Sequence, residues 1–595
     1  MMTKSRRFRF SAWIAALMTG ALAVQGLLFA GAIEPEFAMH YDPELASPTI
    51  ELKLDDAFVG LWKQALTRRE ADYQRMAANA IAEAAQLGFP GMEGASSELL
   101  QVLKADGTHP AARFAAARAL VILDVRSAAP ALFAAAQEHG LQLRLLIEPA
   151  LARWEFEPVR AVWRARVRDS RTNRRELILA LEGLAHAQDA EALPSLLPLV
   201  HSGDQPADVR LAAARAAGAA ADSGLEADAA RLREQVSASV LHRLCAVSLL
   251  RRHTSDRSCE QLAALARDAD PTVAEQALGR LFATDPALVA PLADDAMQNP
   301  DPKVRRRGAD AYVALPTPER IPVLSRLLDD PHPDVRRSIR DDLFRIAQVP
   351  ELSDAVRSAA MDILSGDSWR GQEQASLLLG ALDHEPAATR LLQLLHAERM
   401  EVEIASAWAL RKLAVPATLP DILAHAQQRS TARRTGQGSA GLDKQVAHLF
   451  EAMAVMKYAP AEPLLREYIP KIRINGYYSR GAAIWALGQL HSEAPAEDLA
   501  LQLVERMNDT KDPYNQELDI VWKMSATALG QMRAQSQLPA LQQRLQETDK
   551  HDPVAYALRW SIHRITGEEF PEPGPVTRSR GGWFLEPLLE AARPN

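Results

Sequence analysis

Three stretches of this chain superpose by a fixed step: "DADPTVAEQALGRLFA" from residue 268, "NPDPKVRRRGADAYVAL" from 299 and "DPHPDVRRSIRDDLFRI" from 330. Pro271, Pro302 and Pro333 are 31 residues apart, and Val273, Val304 and Val335 keep the same interval. Val240 and Val209 continue the series backward at 33 and 31 residues, and "HPAARFAAARALVILD" at 109–124 repeats the pattern, with Arg113 matching Arg210 and Arg336. A short, regular period constrains the chain more than any single motif. Each period must be one supersecondary unit that buries its apolar side against the next.

The unit is predicted to be two helices. The first starts with proline at its first helical position, after a capping residue: Asp270, Asp301 and, in the third copy, His332. Val335, Ile339, Leu343 and Ile346 then form a stripe at helical spacing. The second helix carries proline in its first turn, where no intrahelical donor is lost, as at Pro130, Pro194, Pro322, Pro420 and Pro539. Composition agrees: 48% of residues are hydrophobic but only 6% aromatic, with Ala and Leu prominent, which favours helix over sheet. At 595 residues, one core is excluded and an array is expected.

The unit D-x-x-P-x-V-R-x-x-A-x-x-A-L, followed by x-x-P-x-L-x-x-L, resembles HEAT repeats of the compact bacterial type also seen in phycobilisome lyases. The resemblance covers about residues 60–560 and implies an all-α fold, an α-solenoid forming a right-handed superhelix of antiparallel helix pairs. It implies a scaffold or adaptor for proteins. Such arrays also occur in enzymes, so fold alone does not settle function. The expected organisation is a signal peptide or signal anchor at 1–32, an irregular lead-in at 33–60, the HEAT-like solenoid at 61–565, and a Pro/Gly-rich, largely extended tail at 566–595. Within the lead-in, "TIELKL" (49–54) alternates like a strand without an evident partner. Within the array, the polar stretch 425–444 is expected to be a loop inserted between helices.

The first ten residues carry Lys4, Arg6, Arg7 and Arg9, an apolar run follows, and Ala30-Gly31-Ala32 is a small-residue cleavage site. The chain is therefore expected to be exported, periplasmic or extracellular, with residues 11–32 an inner-membrane anchor if they are retained. The run is about as long as the ~20 residues that span a bilayer. Formal charge is −8, and loss of residues 1–32, with four basic and no acidic side chains, leaves −12. That balance argues against nucleic acid as a partner.

No standard catalytic or cofactor motif is present, so no catalytic residue, cofactor or metal ligand is assigned. His242, Cys245, His253 and Cys259 could between them suit zinc, but Cys245 equally fits an apolar core position, and the helical offset between the cysteines works against both a clip and a disulfide. The basic runs 164–175 and 429–434 fit solvated surface or an acidic partner. Aromatic residues concentrate beyond residue 400, where six of nine tyrosines and five of ten tryptophans lie. Trp408 and Trp485 each begin "WAL" inside a first helix and are expected in the core. "RINGYYSRG" (473–481) lies before a first helix and brings together residue types that anchor interfaces. Arg473, Tyr477, Tyr478 and Arg480, with Trp522 and Trp583, are the candidate partner-binding residues. Trp583 and Phe584 could alternatively cap the last helices. The expected function is an exported scaffold binding proteins in the cell envelope. The alternative is a non-catalytic subunit, or an enzyme, with a ligand groove in the C-terminal third.

Overall fold

The computed structural model describes residues 33–44, 50–54, 56–234, 239–437, 441–510, 516–549, 552–570, 576–578 and 581–586. Residues 1–32, with the predicted signal segment, lie outside the described residues. The chain is an all-α solenoid that divides into two compact units, and both units are discontinuous in sequence. One contains Ala293–Glu572 with the N-terminal segment up to Ala46, and the other contains Ser47–Leu292 with Pro573–Asn595.

In the second of these units the first helices of successive repeats form one row: Ala71–Gln86, Pro110–Ile122, Leu141–Arg153, Arg174–Ala187, Ala207–Ala220, Val240–Leu249 and Pro271–Thr284, each packed on the next. The intervening helices cover this row from one side. From Pro110 to Pro333 the first helices start every 31–33 residues, matching the sequence period. The predicted caps are in place. Asp270 accepts from the backbone amides of Thr272 and Val273, and Asp301 from those of Lys303 and Val304. His332 accepts from Asp334 N through Nδ1 at 3.3 Å, so its ring serves helix initiation.

The lead-in strand does have a partner. β1 (Ile50–Leu52) pairs in parallel with β2 (Val576–Arg578), with Ile50 opposite Val576. Beside this ribbon Trp583, 7% exposed, packs on Trp62 (centroids 5.5 Å apart) and edge-on to Phe89 (5.8 Å, 85°). The Trp62 indole N–H donates to the Phe584 carbonyl. Trp583 therefore seals the first helices of its unit, not the last helices of the array. A large aromatic pair buries more apolar area there than the Ala-rich helix ends could offer.

In the other unit seven first helices are needed to place the site: α1 (Pro333–Ile346), α2 (Trp369–Ala381), α3 (Met400–Leu413), α4 (Leu442–Val455), α5 (Tyr477–Leu490), α6 (Asp519–Gln531) and α7 (Pro553–Thr566). They pack in series, and the interval between starts widens to between 31 and 42 residues. One widening falls at the polar stretch 425–444. Its first part continues the helix Leu419–Arg434, so the expected twenty-residue loop is confined to the turn before α4. Ser430 in that helix is 1% exposed and bonds the Tyr468 hydroxyl at 2.7 Å, which holds the polar sequence in register.

The series packs tightly where small residues face each other. A Cβ on Gly488 of α5 would lie 2.7 Å from Ala528 Cα of α6 and nearer still to Gln531 Oε1. Gly488→Ala must separate two helix backbones. We expect it to lower stability by about 1–3 kcal/mol in urea melts, with no such loss for the same change at Gly60, where nothing lies within 4 Å.

The residues weighed as zinc ligands have other partners. His242 closes a capping box with Ser239, His253 is fully buried and accepts from Leu225 N at 3.2 Å, and burial pushes the Cys245 thiol up to about 11. Both cysteines are free thiols. Among the described residues no cluster of three metal-ligating side chains occurs.

Candidate functional site

An amphipathic helix at the edge of an array buries about one face. Helices α4 and α5 do not fit that description. In α4, Gln445 to Ala454 are buried without interruption, and in α5 so are Ser479 to Gly488. Three sides of such a helix are covered by the helices before, after and behind it. The fourth is covered here by residues 33–42, the segment expected to be an irregular lead-in.

Phe37 is the anchor of that segment. Its ring, 6% exposed, is stacked between His448 of α4 (4.3 Å, 16°) and Tyr478 of α5 (4.8 Å, 19°). Two residues on, Met39 is fully buried over Gly481. A Cβ at Gly481 would stand 3.1 Å from Met39 Sδ and 2.7 Å from Ile520 Cγ1, so this position has to be small. Residues Ala38–Tyr41 make one 3-10 turn between extended Phe37 and extended Asp42.

The polar groups of the segment are met by side chains from successive helices. Ile33 N lies 3.5 Å from Asp341 Oδ1 of α1. Arg411 of α3 donates through Nη2 to the Glu36 carbonyl (2.7 Å), and Glu451 of α4 accepts from Met39 N (2.9 Å). Lys523 of α6 donates to the His40 carbonyl (3.3 Å). Asp42 Oδ2 accepts from Trp485 Nε1 (2.6 Å) and Gln489 Nε2 (2.8 Å) of α5 and from Gln531 Nε2 (2.6 Å) of α6. Arg411 and Glu451, 9% and 0% exposed at their side chains, also pair with each other at 3.0 Å. Burial holds His448 below the usual histidine range, so a neutral ring stacks on Phe37. Alongside the segment a cavity of about 760 Å³ remains, lined in part by Phe344, Trp408, Arg411, Lys412 and Val455.

Of the sequence-predicted residues, Tyr478 is in this site. Tyr477 packs edge-on against it (5.1 Å, 80°), and burial beside Asp519 pushes its phenol up to about 12. Trp522 is on α6, partly buried beneath the Arg544 guanidinium at 5.4 Å. Trp583 belongs to the other unit, and the Arg473 side chain lies outside the described residues. Arg480 is corrected: it is 1% exposed, chelates Glu517 through both terminal nitrogens, and donates to the Tyr468 (3.2 Å) and Ile469 (3.1 Å) carbonyls.

The signal for that role was in the repeat itself. Arg113, Arg210 and Arg305 are each the fourth residue of their helices, are 6–8% exposed, and donate to Ala105, Val200 and Asn299 carbonyls at 2.8–3.0 Å. Arg480 is the fourth residue of α5. The repeat arginine thus caps the carbonyls left open near the end of the preceding helix. Trp408 and Trp485 are buried as expected, yet both face the site: Trp408 lines the cavity and Trp485 holds Asp42. The missed element is the segment itself. Its one sequence signal is Phe37-x-Met39-x-Tyr41, large apolar side chains in a stretch otherwise read as lead-in.

A second buried polar group supports the site from behind. Arg429 bridges Glu403 of α3 and Gln445 of α4, and His425 lies edge-on to His396 at 4.4 Å. Burial, with His396 and Arg429 adding to it, pushes His425 down to about 4 from the ordinary 6.5. The unfolded chain therefore takes up a proton before the folded one does. This contribution to stability is complete above about pH 6.5 and lost progressively as pH falls to about 4. At 1.4 kcal/mol per pKa unit the loss is at most about 3 kcal/mol. His425→Leu should flatten the decline in urea midpoint between pH 7 and pH 4.5 relative to the parent.

A family model described as HEAT repeats matches residues 259–343. These residues are HEAT repeats. No curated protein matches the chain. Among solved structures the chain is similar to Kap95p, the yeast importin-beta, described as inducing the switch loops of RanGDP to adopt the GTP-bound conformation. Identity is 14%, with 86% of this chain and 72% of that chain covered and a TM-score of 0.50. It is also similar to importin beta crystallised in ammonium sulfate, at 14% identity, 85% and 72% coverage and a TM-score of 0.50. The likeness is one of fold: a HEAT solenoid, of the kind used for protein–protein interaction.

Proposed function

We propose that the protein is an exported scaffold that engages other proteins in the cell envelope through the face formed by α3 to α6. Export is supported by the basic start, the apolar run and the Ala30-Gly31-Ala32 site. The acidic balance of the remainder disfavours nucleic acid. The observation that carries the interaction is the seating of residues 33–42. Side chains from five helices meet the backbone and the carboxylate of a non-helical segment, and an aromatic slot fixes its register. A face built this way recognises polypeptide in extended form. The cavity beside the segment adds room for an apolar side chain against Phe344, Trp408 and Val455, with Lys412 suited to a neighbouring carboxylate.

The test is site-specific photocrosslinking in cells. A photoreactive residue at Val455, on the cavity, should give a discrete protein adduct in the envelope fraction. The same residue at Leu501, 60% exposed on the helix Glu497–Met507, should not. Identical adducts from both positions, or a chain confined to the cytosol, would sink this reading. The cavity's volume also supports a second reading, a ligand-binding subunit, for which small molecules from envelope extracts should protect Trp408 fluorescence from quenching.

A further inference from the structure

The predicted cleavage site ends at Ala32, and the docked segment begins at the next residue. Ile33 is 8% exposed, and its nitrogen lies 3.5 Å from Asp341 Oδ1. The same oxygen accepts from Arg340 Nε and Nη2 at 2.9 and 2.8 Å, so Asp341 is held in place by its neighbour. An amide nitrogen in the middle of a chain has one hydrogen and no charge to offer this carboxylate. A free α-amino group has an ordinary pKa of about 7.7–8.0, raised beside a carboxylate, and would meet it as an ammonium.

We propose that hydrolysis of the Ala32–Ile33 bond is a maturation step, and that the new Ile33 ammonium pairs with Asp341 to fasten residues 33–42 on the face of α3 to α6. Water adds across the peptide bond under a peptidase of the signal-processing class. Ala32 leaves with the new carboxylate, and the Ile33 nitrogen keeps the electron pair of the broken bond and takes up a proton. Processing then does more than release the chain. It completes the site by turning the first residue of the segment from a neutral amide into a charged tether, ahead of the Arg411, Phe37 and Glu451 contacts. The inference rests on the export reading.

Two measurements test it. Intact mass and N-terminal sequencing of the full-length chain recovered from the envelope fraction should show Ile33 first. A chain in the envelope that starts elsewhere or retains residues 1–32 overturns the maturation step and leaves export standing, whereas an unprocessed cytosolic chain sinks export itself. Hydrogen exchange at residues 33–42 then tests the tether in a cycle. In the processed chain Asp341→Asn should speed exchange of the segment roughly fivefold. In a chain carrying Gly-Ser before Ile33, the same substitution should change exchange by well under twofold. Equal effects in both backgrounds would assign Asp341 to its Arg340 contact alone and overturn the pairing.

Discussion

Arg480→Leu should destabilise the α4 to α7 region by about 3–5 kcal/mol, the range for breaking one side of a buried ion pair. Glu517 would remain 3% exposed with only Arg506, 3.6 Å away, as a cationic partner, and the Tyr468 and Ile469 carbonyls would lose their donor. The loss should appear as a separate early transition in urea melting, since repeat arrays can melt in parts. Adding Glu517→Leu to Arg480→Leu should restore most of the stability, because the uncompensated carboxylate is removed with its partner. A single-mutant loss below about 1 kcal/mol would mean that water already reaches the pair.

Phe37→Ala should release residues 33–42 while leaving the helices behind them folded. Truncating a buried phenylalanine costs about 3–5 kcal/mol, and here the cost falls on docking of the segment, because Arg411 and Glu451 still pair with each other in its absence. Exchange of the Met39 amide, which donates to Glu451, should rise by at least about a hundredfold. Limited proteolysis should cut near Tyr41 in the variant and not in the parent. Phe37→Tyr, which keeps the stack, should lie close to the parent. Unchanged exchange in Phe37→Ala would show that the backbone contacts alone hold the segment.

The repeat units were legible because their determinants are local. A cap, a first-turn proline, a valine two residues on and an arginine after it act within one turn, and the structure repeats them wherever the 31-residue step holds. His332 shows this best, since its chemistry reads as a site until its slot is compared with Asp270 and Asp301. Arg480 was legible by the same rule and obscured only because tyrosines replace the proline and valine around it. The docked segment was not legible. Met39 and Glu451 are 412 residues apart, and Asp42 and Gln531 are 489 apart, so no periodicity links them. The same holds for β1, whose alternation was visible while its partner lay in the tail.

That tail has a consequence in time. Trp62 and the Phe584 carbonyl it bonds are 522 residues apart, and synthesis proceeds at about 5–20 residues per second, so the first helices of their unit wait on the order of half a minute to two minutes for their seal. Until then the ring that ends fully buried has no tail aromatic against it. A nascent chain of this design presents its least finished surface at its oldest end, where a holding chaperone would find it. C-terminal truncations and fusion tags that disturb residues 581–586 should therefore be felt at Trp62 and Phe89, close to where translation began.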